Sequence, residues 1–112
     1  MTEKEDLRSA RTESVFRDVN ERIAETAVRF DSEEAHFLCE CDDPLCNQRI
    51  ETSLDAYEEV REDGAQFLVA DGHVNDEVER VVEQRRGFSI VEKVKPLVRR
   101  AVRALDPRSD AR

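Results

Sequence analysis

The sequence is poor in large aromatic side chains and in glycine. It contains no Trp, one Tyr, five Phe and three Gly among 112 residues. The core of such a chain must be small and aliphatic, and domains of this size often depend on a metal, a partner or a disulfide. The scarcity of glycine also excludes a glycine-rich phosphate-binding loop.

Long apolar runs are missing as well. No stretch approaches the roughly 20 uncharged residues of a membrane-spanning helix. The opening residues, MTEKEDLRSA, lack the apolar segment of a secretory signal. We therefore expect a cytoplasmic protein with no membrane partner. Its length predicts a single domain over 1–112, with residues 1–8 and 107–112 as frayed tails.

Charge is abundant but unevenly distributed. The chain has 27 acidic and 18 basic residues, for a formal charge of -9. Residues 93–112 contain seven basic and two acidic residues, a net of +5, so the other 92 residues carry -14. An acidic body repels phosphate, which argues against nucleic-acid binding. The basic segment predicts the solvated face of a terminal helix; alternatively, it folds back on the acidic body or docks an acidic partner.

Helical patterns occur at both ends and in the middle of the chain. Between Ser9 and Phe30, apolar residues recur at steps of three and four, which predicts an amphipathic helix. A short helix is expected after the capping residues 52–53 and before Gly64. Pro96 suits the first turn of a last helix. The apolar stripe of the first helix comprises Val15, Phe16, Val19, Ile23, Ala27 and Phe30, and the inward side of the last comprises Leu97, Val98, Ala101, Val102 and Leu105.

Short β-favouring segments separate these helices. Strands are predicted over 35–41, 47–52 and 66–70, and in the segment that begins at Phe88. The segment 76–85 fits two patterns. We predict a short helix there, because its valines have helical spacing and a glycine follows them; the alternative is a strand in a hairpin with FSIVEKV.

These elements predict an α+β fold. We expect a small mixed or antiparallel sheet with a Cys-rich knuckle between its first two strands, flanked by N- and C-terminal amphipathic helices. Each of these helices needs a surface to cover its apolar stripe. A homodimer built through the first and last helices is therefore one of the possible assemblies.

All three cysteines fall within residues 39–46. Thiols in the cytosol are kept reduced, so clustered cysteines there favour metal or redox chemistry over a disulfide. Side chains alternate along a strand, so Cys39 and Cys41 should emerge on one face, with Cα atoms roughly 6.5–7 Å apart. A turn at Pro44 can bring Cys46 over the same face. The competing interpretation is three thiols that share no site.

A closed tetrahedral zinc site needs a fourth ligand. His36 precedes Cys39 by three residues, so strand alternation places it on the opposite face. His73 lies in a turn after an apolar strand, where it can reach the thiols from a neighbouring strand. We predict a zinc site formed by Cys39, Cys41, Cys46 and His73. Glu40, Asp42 and Asp43 are alternative fourth ligands.

The ligand order, C-x-C with a proline shortly before the third Cys and a later His, resembles that of CDGSH-type iron-sulfur proteins. In that family an Asp-Gly-x-His element follows the third Cys at once, whereas here 47–49 is Asn-Gln-Arg and Asp-Gly-His begins 25 residues after Cys46. The resemblance implies a [2Fe–2S] cluster as the alternative cofactor. FLCECDDPLC, VADGH and VERVVE also resemble a group of short acidic bacterial proteins over roughly residues 12–94, and that resemblance implies no activity.

A closed Cys3His site is typical of a structural metal. Catalytic zinc keeps one position open for water and mostly uses His or carboxylate ligands, so we expect no enzymatic activity. The leading hypothesis is a small intracellular zinc module that acts by binding another protein, whose identity the sequence does not give. The alternative is a thiol-based redox sensor or an iron-sulfur protein that uses the same cysteines.

Overall fold

The computed structural model describes residues 2–108, and within them it contains three helices and five strands. Their bounds are α1 Glu3–Arg29, β1 Glu34–Leu38, β2 Arg49–Ser53, α2 Leu54–Val60, β3 Gln66–Ala70, β4 Glu79–Arg85, β5 Phe88–Lys93 and α3 Pro96–Ala104. Two antiparallel sheets form, one from β1 and β2 and one in the order β3-β5-β4. The fold is α+β as predicted, with the cysteines between β1 and β2.

α2 packs against the first sheet, which α1 also contacts. Ser53 begins this helix, because its hydroxyl accepts a hydrogen bond from the N–H of Ala56 at 3.0 Å. One turn later, the Tyr57 ring stacks on Phe37 of β1 with centroids 4.4 Å apart. Both aromatic side chains are fully buried, so they join α2 to the sheet.

The segment 76–85 contains a strand, and the prediction of a short helix is wrong. β4 pairs with β5 in an antiparallel hairpin. The register shifts between Val81 and Glu83, and the resulting irregularity breaks the apolar alternation that would identify a strand. Gly87 does not end a helix; it lies in the hairpin turn with φ of +85°. Pairing with β5 and the β-branched valines outweigh the helical spacing.

The N-terminal helix begins earlier than expected. Residues 1–8 were predicted to fray, but α1 begins at Glu3 and Asp6 is already buried. The hydroxyl of Thr2 caps the helix by accepting a hydrogen bond from the N–H of Glu5 at 3.1 Å. Part of the other expected tail, residues 109–112, lies outside the described residues.

α1 turns a polar side toward the core, contrary to the expectation from its apolar stripe. Val15 is 60% exposed and Phe30 is 74% exposed, whereas Glu13, Arg17 and Asn20 are buried. Of the predicted stripe, Ala27 alone is buried. The buried polar side chains are tolerated because most of their polar atoms find partners on other elements.

Arg17 shows how this polar side is accommodated. Its guanidinium donates to the carbonyl of Gly64 at 2.7 Å and to the carbonyl of Val102 at 2.6 Å. The Val102 carbonyl lies in the last turn of α3, where the helix offers no N–H of its own. The guanidinium also lies 4.5 Å from the ring centroid of Phe67. Arg17 therefore holds α1, α3 and β3 together.

The basic residues near the C-terminus pair with acidic residues of the body. This agrees with the alternative prediction for this segment, and not with the prediction that they form the solvated face of a terminal helix. Ion pairs join Lys93 to Glu13 and Glu79, Lys95 to Asp6, Arg99 to Glu92, Arg103 to Asp63, and Arg108 to Glu21 and Glu58. α3 packs through Val98 and Val102. Leu105, predicted to face inward, is 45% exposed because α3 ends just before it.

None of the helices within residues 2–108 combines the length and apolarity that crossing a bilayer requires.

Candidate metal centre

The cysteines lie where the first sheet meets the second. Cys39 and Cys41 follow the last residue of β1, and Cys46 lies in the connection to β2. His73 lies in the turn after β3, where its N–H bonds to the carbonyl of Ala70 at 3.0 Å. The four side chains therefore come from loops and turns that adjoin both sheets.

The four predicted ligands converge on one point. One ligand atom from each of Cys39, Cys41, Cys46 and His73 lies within 4.8 Å of all the others. The Sγ atom of Cys46 is 3.6 Å from Nδ1 of His73. With zinc–sulfur bonds of about 2.3 Å and a zinc–nitrogen bond of about 2.0 Å, a tetrahedron has edges of roughly 3.5–3.8 Å. The side chains thus fit a tetrahedral ion with small adjustments.

Backbone amides stabilise negative charge on the sulfur atoms. The N–H of Ala70 donates to Sγ of Cys39 at 3.1 Å. The backbone N–H groups of Asp43 and Gln48 act to lower the pKa of Cys41 and Cys46, respectively. Hydrogen bonds of this kind favour the thiolate, which is the form that binds a metal.

The thiols share negative charge unequally. A hydrogen bond from Cys39 lowers the pKa of Cys41 to about 5, with further help from His73 and the N–H of Asp43. The same bond raises the pKa of Cys39, and burial raises the pKa of Cys46. Three thiolates this close repel each other, so one ionises readily and the other two lose their protons when a cation binds.

The cysteine segment is held in place by Glu40. The side chain of Glu40 is fully buried and accepts hydrogen bonds from the N–H of Leu68 at 3.1 Å and from the amide of Asn20 at 2.8 Å. Its own N–H bonds to the carbonyl of Leu68 at 2.8 Å. Burial raises the pKa of Glu40 to about 7, and these hydrogen bonds oppose the rise. Glu40 thus fixes the backbone that carries Cys39 and Cys41.

The carboxylates considered as alternative ligands are engaged elsewhere. Glu40 bonds to Leu68 and Asn20, as described above. Asp42 accepts a hydrogen bond from the amide of Asn75 at 2.9 Å, and Asp43 accepts one from the N–H of Leu45 at 2.9 Å. Among the described residues, the group whose ligand atoms lie within 4.8 Å of one another contains His73 and none of these carboxylates.

His36 lies away from the cysteines, as strand alternation predicts. Its side chain is 67% exposed, and its Nε2 atom lies 3.0 Å from a carboxylate oxygen of Glu51 across the β1–β2 pair.

Sequence reasoning missed Asn20 as a support of the site. Its amide nitrogen donates to the carbonyl of Leu38 at 2.9 Å, and its amide oxygen accepts from the N–H of Leu38 at 2.7 Å. The side chain therefore satisfies both backbone groups at the end of β1, just before Cys39. Asparagine is a weak helix former, and its presence inside a 27-residue helix is the signal that could have pointed to this role.

Comparison with known proteins adds no relative from which a function can be transferred. The chain matches no protein-family model, no curated protein and no solved structure.

Proposed function

We propose that the chain is a small intracellular zinc-binding module whose metal joins the two sheets and which acts by binding another protein. The observation that carries the zinc assignment is the convergence of Cys39, Cys41, Cys46 and His73 within 4.8 Å. In a two-iron cluster the four protein ligands are divided between two metal atoms. A single tetrahedral ion instead requires all four ligand atoms to lie close to one another around one point. The geometry therefore favours one metal ion over a [2Fe–2S] cluster.

The proposed role of the metal is structural. Four protein ligands fill a tetrahedral coordination sphere, so no position is left for a catalytic water. When bound, zinc would supply charge that holds three thiolates together, and binding would contribute free energy to folding. We accordingly propose no catalytic activity for the site.

The two histidines provide a matched test of the zinc assignment. We expect protein purified without metal-affinity steps to contain about one equivalent of zinc. His73→Ala should reduce zinc content and weaken zinc affinity at least tenfold, because it removes a ligand. His36→Ala should leave both unchanged. Elemental analysis and competition with a chromogenic chelator measure the two quantities.

Three results would contradict this assignment. The first is less than about 0.3 equivalents of zinc in the wild-type protein. The second is equal zinc affinity in the two histidine variants. The third is a brown protein that contains iron and sulfide, which would select the iron-sulfur cluster.

A thiol redox sensor is the second candidate, and the proximity of the three free thiols favours it. Hydrogen peroxide would oxidise two thiols to one disulfide and be reduced to two water molecules. Metal-free protein should then lose two free thiols reversibly. If zinc-loaded protein reacts as fast as metal-free protein, the sensor is the better description; if zinc suppresses the reaction, the metal module is.

A further inference from the structure

The outward side of α1 combines an apolar seam with a row of basic residues. We call this side the outer face of α1. Its seam runs through residues 12, 16, 19, 23, 26 and 30, at alternating steps of four and three. That spacing is the one with which an α-helix contacts a second helix. The seam contains Phe16, Val19, Ile23 and Phe30 with two threonines.

The seam is partly exposed and borders a shallow groove. Val19 is 37% exposed and Phe30 is 74% exposed. Beside them lies a groove with a volume of about 420 Å³, whose lining includes the apolar residues Val19, Ile23, Phe30 and Ala35 and the charged residues Arg22 and Glu34. Large exposed apolar side chains around a groove are typical of a surface that receives another chain.

A basic row runs along one flank of the seam. It contains Lys4, Arg8, Arg11, Arg22 and Arg29 together with the acidic residues Asp18 and Glu25, so five positive and two negative charges give +3. The chain as a whole carries -9. The five basic side chains are exposed, and none of them forms an ion pair with a carboxylate of residues 2–108. This contrasts with the basic residues near the C-terminus, most of which are paired.

From this juxtaposition we infer that the outer face of α1 binds an amphipathic, acidic α-helix of another protein. This inference rests on the proposed function in one respect, that the module acts by binding a protein. Apolar side chains of the partner helix would enter the groove beside Phe30. Its carboxylates would lie along the basic row, where opposite charges favour association.

The same observations argue against two other occupants. In an antiparallel two-fold dimer of this chain the basic row would lie along its own copy, so like charges would meet. A lipid surface provides no side chains to fill a concave groove, and the acidic body of the protein repels anionic headgroups. A partner helix with carboxylates satisfies both the shape and the charge of the face.

The test uses a fluorescent synthetic helix of about 21 residues with Leu at positions a and d and Glu at e and g. A second peptide carries Lys in place of Glu. We expect the zinc-loaded full chain to bind the Glu peptide with micromolar affinity and the Lys peptide at least tenfold more weakly. Phe30→Asp, and separately Arg22→Glu with Arg29→Glu, should each weaken binding of the Glu peptide at least tenfold.

Matched controls lie on the β4–β5 hairpin. Val82→Asp replaces an exposed apolar residue and Arg86→Glu an exposed basic one, and both should bind the Glu peptide like the wild type. The inference fails if neither peptide binds, if both bind equally, or if Phe30→Asp binds as tightly as the controls.

Two further measurements identify the other occupants. If the protein binds vesicles of phosphatidylserine and phosphatidylcholine but not the Glu peptide, the outer face of α1 binds a membrane and not a partner helix. If sedimentation shows that the wild type is a dimer and that Phe30→Asp is a monomer, the outer face of α1 binds a second copy of this chain and not a partner helix. Zinc content measured on the same samples separates the two proposals. Protein that binds the Glu peptide but contains no zinc would overturn the metal module alone. Protein that contains zinc but does not bind the peptide would overturn this inference alone.

Discussion

Lys93 contacts two carboxylates in the interior, those of Glu13 and Glu79. If all three groups are ionised, the buried cluster carries one net negative charge. Burial raises the pKa of Glu13 to about 8, although Lys93 lowers it in part. The Oε1 atom of Glu13 has no hydrogen-bond partner among residues 2–108. A proton on Glu13 would therefore neutralise the cluster.

This cluster predicts a specific dependence of stability on pH. The pKa of Glu13 is raised in the folded protein from its usual 4.5, so between those values the folded state holds a proton that the unfolded state lacks. The contribution of Glu13 to the free energy of unfolding is full below pH 4.5 and is lost as the pH rises toward 8, on the order of 1 kcal/mol per pH unit. Glu13→Gln should remove that slope. Urea denaturation at several pH values measures it.

Glu5 provides the control for this prediction. Glu5→Gln changes an exposed carboxylate on the same helix, so its free energy of unfolding should follow that of the wild type at every pH. Protonation of the thiols affects all three proteins equally and cancels in the differences. A Glu13→Gln profile parallel to the wild-type profile would show that Glu13 does not hold the proton.

At the scale of elements, α1 is anchored by polar side chains rather than by its apolar stripe. Arg17 reaches α3 and the loop before β3, Asn20 reaches the end of β1, and Glu13 reaches Lys93 of β5. A buried polar contact of this kind has narrow geometric requirements. It therefore fixes both the rotation of the helix about its axis and its position along that axis. The rotation in turn leaves the apolar seam facing outward.

Arg17→Met tests this anchoring. Methionine keeps much of the volume but leaves two carbonyl groups without their donor, so we expect the free energy of unfolding to fall by about 3 kcal/mol. Arg22→Met, on the outward side of the same helix, should change it by less than about 0.5 kcal/mol. Guanidinium denaturation of both variants measures the difference. Equal losses would mean that the buried hydrogen bonds of Arg17 are not the anchor.

The sequence predicted the convergence of the three cysteines and His73 better than it predicted the orientation of α1 or the strand β4. The reason is the sequence distance between the residues that interact. Cys39, Cys41 and Cys46 are close in sequence, and His73 follows a strand that could be recognised locally. By contrast, Arg17 is buried because of a carbonyl 85 residues away. β4 forms because β5 pairs with it across a bulge. Neither this pairing nor the hydrogen bond of Arg17 can be recognised from the spacing of nearby residues in the sequence.

At the scale of the whole molecule, the proposed metal joins the two sheets. Besides the ligands, the contact between the sheets at this point includes the backbone hydrogen bond between Glu40 and Leu68 and the bond from the N–H of Ala70 to Cys39. Removal of the metal would leave one thiolate and two thiols at this junction, with no shared cation to hold them together.

Chelation of zinc should therefore loosen the junction first. With EDTA we expect faster hydrogen exchange at the amides of Glu40 and Ala70 and a lower midpoint of thermal unfolding. The amide of Arg61, which bonds within the end of α2, serves as an internal reference and should change much less. NMR-detected exchange measures all three amides. Uniform acceleration across the chain would indicate global unfolding instead, and no acceleration would show that zinc does not hold the junction.

The long-range anchoring of α1 has a consequence for synthesis on the ribosome. The partner of Glu13 is made 80 residues later, and the second carbonyl that Arg17 binds is made 85 residues later. Until those residues emerge, the nascent N-terminal helix has charged side chains on the side that will be buried, where water solvates them. Docking of this helix is therefore a late step in folding, and a chain truncated before Lys93 lacks the ammonium group of Lys93 and the carbonyl of Val102 that help to hold it.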